Sequence, residues 1–388
     1  MDIAPKGREA MSKNIVFCAD GTWNSPDQDD DNDKISDPTN VCKLFRALNG
    51  KQTSGDINSE EQEKKLLDPT GKTTLQTAKY LYGVGCSDNL IVKMLGGVAG
   101  AGVISRIVRG YTFISRHYQP GDQIYLIGFS RGAYTVRALA DMIMKMGLLK
   151  PEHVQDPETG YRDGIFTWYK YRSKKSVLLD LLSSLAKKIK GIKLSARDYV
   201  KVEGIKAIGV WDTVGAMGIP VYAIKGKRRD LFKFTSTRLS KRVEHGFHAV
   251  ALDEQRVDFT PTLWDQTANV TQNLFPGGHA DVGGGYPIKN NESGLSDGAL
   301  VWMVDNLKQE GLLIQSGANL TNVKPDAKGT AHQQWRVGAM KWKTAPRQFP
   351  RMNHHQSVDE RKAAGPVIPH PGVAKTPYNP ANLPKPLP

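Results

Sequence analysis

A chain of 388 residues, 39% of them hydrophobic and 24% charged, has ordinary globular composition and enough apolar residues for one large domain or two smaller ones. Its three cysteines, Cys18, Cys42 and Cys86, are an odd number without metal-ligand spacing, which argues against a disulfide framework and a zinc site. The formal charge of +14 favours anionic partners such as phospholipid head groups or nucleic acid without choosing between them, while the lack of RNP-like, helix-turn-helix or zinc-finger patterns argues against nucleic acid.

Residues 1–13 form a polar leader without the apolar region of a secretory signal, so a cytoplasmic location in the producing cell is expected, with any export by a non-classical route. Asn14 to Ala19 reads as a buried strand running into the loop Asp20-Gly21-Thr22. The acidic run Asp27 to Asp33 resembles a calcium loop, but its sixth position is not Gly and Pro38 stands where the closing Glu belongs, so a solvated loop is expected. A strand is expected over Lys79 to Cys86. The apolar segment Leu95 to Ile104 is short of the roughly 20 residues that span a bilayer. Ile104 to Tyr118 has helical spacing, Gln123 to Ile127 reads as a strand of the buried parallel kind, and Ala133 to Met146 as a helix.

The stretch 165–201 is different in character. Leu178, Leu181, Leu182, Leu185 and Ile189 fall on one helical stripe, with Lys187, Lys188 and Lys190 beside it. Such a basic amphipathic segment can lie on an anionic membrane surface or act as a lid, and can equally be a peripheral helix with a solvated lysine face. Further strands are expected at Gly204 to Trp211, Ala249 to Leu252 and Gln272 to Phe275, with a helix over Ala299 to Leu307 capped by Ser296. Alternating strands and helices imply an α/β class, with a central, mostly parallel sheet and helices on both faces. The main domain is expected to run over 14–345, with a Pro-rich tail at 346–388 packed upon it.

Gly128-Phe129-Ser130-Arg131-Gly132 matches G-x-S-x-G between an apolar strand and a helix, where a nucleophilic serine needs a sharp elbow with no side chains crowding it. The bland alternative is a structural turn. A second match, Gly294-Leu295-Ser296-Asp297-Gly298, follows the polar run Lys289 to Ser293, which cannot be a buried strand. A nucleophilic serine requires a base and a carboxylate that orients the base, and neither metal nor organic cofactor. Asp212, just after the strand ending at Trp211, is the candidate acid, with a helix cap as its bland reading. His279, in a glycine-dense loop, and His248 compete for the base. Backbone N–H groups of Arg131, and of Gly21 or Thr22 in the loop after the first strand, are candidates for the oxyanion hole.

Several blocks then carry a resemblance. Phe17-Cys-Ala-Asp-Gly-Thr-Trp-Asn24, Gly121-Asp-Gln-Ile-Tyr-Leu-Ile-Gly-Phe-Ser-Arg-Gly-Ala-Tyr134, Gly209-Val-Trp-Asp-Thr-Val-Gly215 and Phe275-Pro-Gly-Gly-His-Ala-Asp-Val-Gly-Gly-Gly-Tyr286 stand in order and in register. Together they resemble the DUF2235 family of α/β-hydrolase domains, which includes type VI secretion lipase effectors of the Tle1 kind. The resemblance implies an α/β-hydrolase-like fold and a triad of Ser130, Asp212 and His279, which ranks His279 above His248. It also implies hydrolysis of phospholipid or other acyl esters, with an immunity protein and a secretion-system component as partners.

Overall fold

Burial alternates along the strands with a period of two. In β1 (Asn14–Ala19), Ile15, Phe17 and Ala19 pack into one hydrophobic cluster while Val16 and Cys18 pack into another. β5 (Gln123–Phe129) repeats the pattern, with Ile124 and Leu126 on the first side and Tyr125, Ile127 and Phe129 on the second. Strands apolar on both faces need cover on both, and helices supply it. The computed structural model describes residues 12–21, 36–56, 59, 61–83, 99–172, 191–215, 237–315, 320, 322–336, 342–380 and 382–387.

Among the described residues, one nine-stranded sheet organises the molecule. Besides β1 and β5 it contains β2 (Lys51–Ser54), β3 (Glu61–Leu67), β4 (Thr74–Leu81), β6 (Ile205–Trp211), β7 (Val243–Ala251), β8 (Val270–Phe275) and β9 (Asn353–His354). Their order is β9-β8-β7-β6-β5-β1-β4-β3-β2. From β4 through β1 to β9 every pairing is parallel, whereas β2 and β3 run antiparallel at one edge. Helices α2 (Ala99–His117), α3 (Arg131–Met146) and α4 (Pro157–Arg172) cover one face, and α1 (Asn40–Ala47) and α6 (Gly294–Gln309) the other. Two short helices, α5 (His279–Gly283) and α7 (Gln356–Ala363), lie near the β8 end. This is the mostly parallel, doubly covered α/β-hydrolase-like architecture.

Local differences from the sequence reading have physical causes. The strand expected over Lys79 to Cys86 is β4, shifted toward the N-terminus and ending at Leu81. β2 and β3 are polar edge strands, every residue of β2 being exposed, so no apolar alternation announces them. Ser296 is not a cap: α6 begins at Gly294, and Ser296 is fully buried in its first turn, donating to Ser293 O at 2.9 Å. The Pro-rich C-terminal segment packs against the sheet end through bonds such as His355 N to Leu274 O and Asn382 Nδ2 to Leu252 O. The stripe Leu178 to Ile189 with Lys187, Lys188 and Lys190, and also Thr22, lie outside the described residues. Among the described residues no helix is long and apolar enough to cross a membrane.

Candidate active site

Four parallel strands deliver their following loops to the same carboxyl-end edge of the sheet, the place where open α/β sheets assemble sites. Asp20 and Gly21 follow β1, Ser130 follows β5, Asp212 follows β6, and His279 opens α5 four residues after β8.

Ser130 sits between β5 and α3 with φ 56° and ψ −121°, in the left-handed half of backbone space that an L-residue rarely adopts. The turn is held by neighbours: Ser130 N donates to Trp211 O at 3.1 Å, and Ser130 O accepts from Tyr134 N at 3.1 Å. The glycines on either side have a steric reason. A Cβ on Gly128 would lie 2.6 Å from the carbonyl carbon of Gly132, and one on Gly132 would lie 2.0 Å from Ala19 O. The elbow therefore brings three backbone segments closer than any side chain permits.

The Oγ of Ser130 lies 2.8 Å from Nε2 of His279, and Nδ1 of the same ring lies 2.5 Å from Asp212 Oδ2. An ionised carboxylate only accepts, so Nδ1 carries the proton and Nε2 is left to accept from the serine hydroxyl. Phe129 and Phe259 flank the imidazole, with ring centroids at 4.6 and 5.0 Å, and fix its plane. Burial pulls the His279 pKa below its ordinary value, although the bond to Asp212 and that residue's charge act in the opposite direction. The ring is thus a neutral base over most of the physiological range.

Asp212 is fully buried at the end of β6, with φ 33°. Its N–H donates to Ala249 O at 2.7 Å, and Oδ1 accepts from Ala251 N at 2.9 Å. Burial disfavours the charge, but the Arg347 guanidinium and the His279 bond outweigh it and hold the carboxyl well below the usual carboxylate range.

The structure thus brings Ser130, Asp212 and His279 into one hydrogen-bonded line. His248, the rival base, stands behind Asp212 with no exposed surface, accepting from Thr213 N at 3.1 Å and facing Gln272 Oε1 at 3.0 Å. It has no bond to Ser130. Of the backbone donors, Arg131 opens α3, where N–H groups of the first turn have no acceptor within the helix and the positive end of the helix dipole favours negative charge. Gly21 is differently placed from the expectation: its N–H donates to Asp20 Oδ1 at 2.7 Å. Asp20 Oδ2 in turn accepts from Thr39 Oγ1 and Tyr80 OH, both at 2.6 Å, so this carboxylate organises the loop after β1.

Arg347, Glu254 and Asp281 escaped the sequence reading. Glu254 Oε2 accepts from His279 N at 3.2 Å and pairs with Arg256 at 2.8 Å. Asp281 Oδ2 accepts from Gly278 N and His332 N, at 2.8 and 2.9 Å, and holds the loop that carries His279. For Asp281 a signal existed, three residues past Gly278 where a helix-start acid belongs; for Arg347 none did.

Comparison with known proteins places this geometry in a family. A protein of Saccharomyces cerevisiae, the uncharacterised protein YEL023C, is 30% identical over 258 residues, 66% of this chain, and the chain spans about a third (33%) of the length of that relative. Among solved structures, that of the Tle1 effector bound to the VgrG spike of the type VI secretion system is 15% identical with a TM-score of 0.46, covering 83% of this chain and 78% of that one. An uncharacterised protein from Pseudomonas aeruginosa is 16% identical with a TM-score of 0.42, covering 82% and 49%. The family described as type VI secretion phospholipase effector Tle1-like, catalytic domain, matches residues 13–306, a span that contains Ser130, Asp212 and His279. The chain belongs to the Tle1-like catalytic-domain family.

Proposed function

We propose that this chain is a serine esterase acting on lipid esters, most simply a phospholipase, with Ser130 as nucleophile, His279 as general base and Asp212 as its orienting acid. The observation that carries the reading is the continuous line Ser130 Oγ, His279 Nε2, His279 Nδ1, Asp212 Oδ2, with steps of 2.8 and 2.5 Å. Membership of a phospholipase effector family supports the lipid ester as substrate.

In this mechanism His279 Nε2 takes the hydroxyl proton as Ser130 Oγ attacks the acyl carbonyl. The tetrahedral oxyanion forms beside the Arg131 N–H at the start of α3, where the helix dipole stabilises it. Asp212 stabilises the imidazolium, which then protonates the departing alcohol and leaves an acyl group on Ser130. A water molecule, deprotonated by the same imidazole, releases the fatty acid and restores the serine. The chemistry asks only for these groups.

The basic residues Lys187, Lys188 and Lys190 belong to this proposal as a peripheral contact with anionic membrane. An immunity protein that blocks the site and a secretion-system component that carries the chain are the partners such a role implies.

The test is fatty-acid release from mixed phospholipid vesicles, with fluorophosphonate labelling of the same samples. The wild type should release fatty acid and be labelled at Ser130, and Ser130→Ala should lose the labelling and at least ~10³-fold of the release. Labelling without release would keep the nucleophile and overturn the lipid substrate. A folded wild type that is not labelled would overturn the serine mechanism.

A further inference from the structure

Arg347 makes more polar contacts at the candidate site than the side chain of Ser130 or of His279 and as many as that of Asp212. Its Nη1 donates to Asp212 Oδ1 at 2.7 Å and its Nη2 to Asp212 Oδ2 at 2.9 Å, a two-pronged grip on the whole carboxylate. The same nitrogens donate to Ala251 O, at 2.7 Å, and to Phe259 O. The side chain is 3% exposed. Its backbone belongs to the C-terminal segment, outside residues 13–306, and Arg347 O accepts from Asn382 Nδ2 at 3.2 Å.

We propose that Arg347 is a positioning residue that clamps Asp212 and, through it, governs both the aim of His279 and how firmly the imidazole holds a proton. This rests on the reading of Ser130, His279 and Asp212 as a triad.

Geometrically, Asp212 Oδ2 must face Nδ1 of His279 while Oδ1 faces Ala251 N, and a guanidinium bridging both oxygens fixes the carboxylate plane as a single contact cannot. By holding Phe259 O as well, Arg347 anchors the residue whose ring stands against the imidazole. Electrostatically, a carboxylate in contact with an imidazole raises its proton affinity, and a cation on that carboxylate offsets the effect. Among the described residues the other charged groups facing His279 are Glu254, whose Oε2 accepts from His279 N, and Arg256, which is paired with Glu254. Those two charges largely compensate each other. On its other side Asp212 is faced by His248, which burial keeps neutral. Arg347 is thus the cation that decides how much of the Asp212 charge the imidazole feels.

The sign follows. With the guanidinium removed, Asp212 stabilises the imidazolium more strongly, so His279 becomes a free base only at higher pH. The acidic limb of the reaction should move up, and with it the pH at which Ser130 is activated.

The experiment measures the second-order rate of fluorophosphonate labelling at Ser130 from pH 4.5 to 9 in the wild type, Arg347→Gln and Arg347→Lys, with thermal melts to normalise for folded protein. The wild-type midpoint should lie below the ordinary imidazole value of about 6.5. Arg347→Gln should raise the midpoint by about one pH unit, a tenfold change in proton affinity. Arg347→Lys keeps the charge but cannot span both carboxylate oxygens and two carbonyls, so the midpoint should stay within a few tenths of a unit while the plateau rate falls about tenfold or more. A merely structural arginine would lower the folded fraction and leave the midpoint of the folded molecules in place. Unmoved midpoints in Arg347→Gln, with labelling intact, overturn the inference alone. If Arg347→Gln does not fold, a wild-type plateau in Arg347→Lys overturns it. A folded wild type inert to the probe overturns the triad reading and this inference together.

Discussion

His248 and His279 are both buried within reach of the Asp212 loop, and what separates them is the state of their second ring nitrogen. In His248 Nε2 accepts from Thr213 N, so Nδ1 must carry the proton and donate to Gln272 Oε1; both positions are filled by the protein itself. The orientation of Gln272 is fixed independently, because its Oε1 accepts from Trp264 N and its Nε2 donates to Trp264 O. In His279 one nitrogen faces Asp212 and the other faces a hydroxyl that can be consumed in a reaction. His279→Gln should therefore lower fluorophosphonate labelling by at least ~10³-fold in folded protein. His248→Gln should leave labelling per folded molecule within about tenfold while lowering stability by roughly 1–3 kcal/mol, because two buried partners lose their bonds. Rates measured against a circular-dichroism estimate of the folded fraction separate the two; the reverse ranking would exchange the roles of the two histidines.

At the scale of elements, the decisive contact is the seam where the start of α3 meets the ends of β1 and β5. A Cβ at position 132 would stand 2.0 Å from Ala19 O and 2.5 Å from Asp20 O, both backbone atoms of a central strand and its loop. Neither can swing aside, and β1 is held in parallel on both sides by β4 and β5. Gly132→Ala should destabilise the protein by roughly 1–3 kcal/mol or more and, in whatever folds, move Ser130 enough to cost labelling beyond the loss of folded protein. Chemical denaturation alongside labelling measures both; a variant with wild-type values would mean that α3 is not pressed on β1. The same seam explains why this part of the molecule was legible in the sequence. Strand, serine elbow and helix are contiguous, from Gln123 to Met146, and each leaves a local signature: an apolar run, two glycines, a helical stripe. Asp212 and the His279 loop were legible as candidates because each directly follows a buried strand, but choosing His279 over His248 needed the family likeness, since a core histidine and a base look alike in a sequence. Arg347 left no trace at all. It reaches Asp212 across 135 positions from a Pro-rich stretch without periodicity, and its role exists only in the folded contact. β2 and β3 were hidden for another reason, being polar strands at a solvent edge whose pairing rests on backbone bonds.

For the whole molecule, the C-terminal segment ties together the loops at the β7 and β8 ends, and Asp253 makes that tie sensitive to pH. Asp253 Oδ2 accepts from Gly277 N and from Tyr378 OH, the latter at 2.9 Å, joining the loop after β7, the loop after β8 and the tail. Burial pushes this carboxyl up to about 6, against about 3.9 in an unfolded chain. The folded protein then holds a proton that the unfolded chain has already released. The stabilisation is complete below about pH 3.9 and is lost as the pH rises to about 6. His248 works in the opposite direction. Burial and the nearby Arg137 pull it down to about 3, so the unfolded chain takes up a proton below its ordinary value of about 6.5 that the folded chain refuses. Its contribution is present above that value and falls away as the pH drops. Between about pH 4 and 6 the two slopes, each at most ~1.4 kcal/mol per pH unit, oppose each other, so these two groups together add little net pH dependence in this window. Asp253→Asn removes one arm, since an amide oxygen can accept both bonds and does not titrate. Denaturant unfolding of the two proteins should coincide below about pH 4 and diverge above it, the variant gaining about 2 kcal/mol by pH 7 after allowance for the half-buried position of the group. The gap between the two proteins should widen steadily from pH 4 to 6, because in the variant the slope from His248 is no longer offset by Asp253. Parallel curves at every pH would show that the tie between tail and loops carries no proton-linked strain.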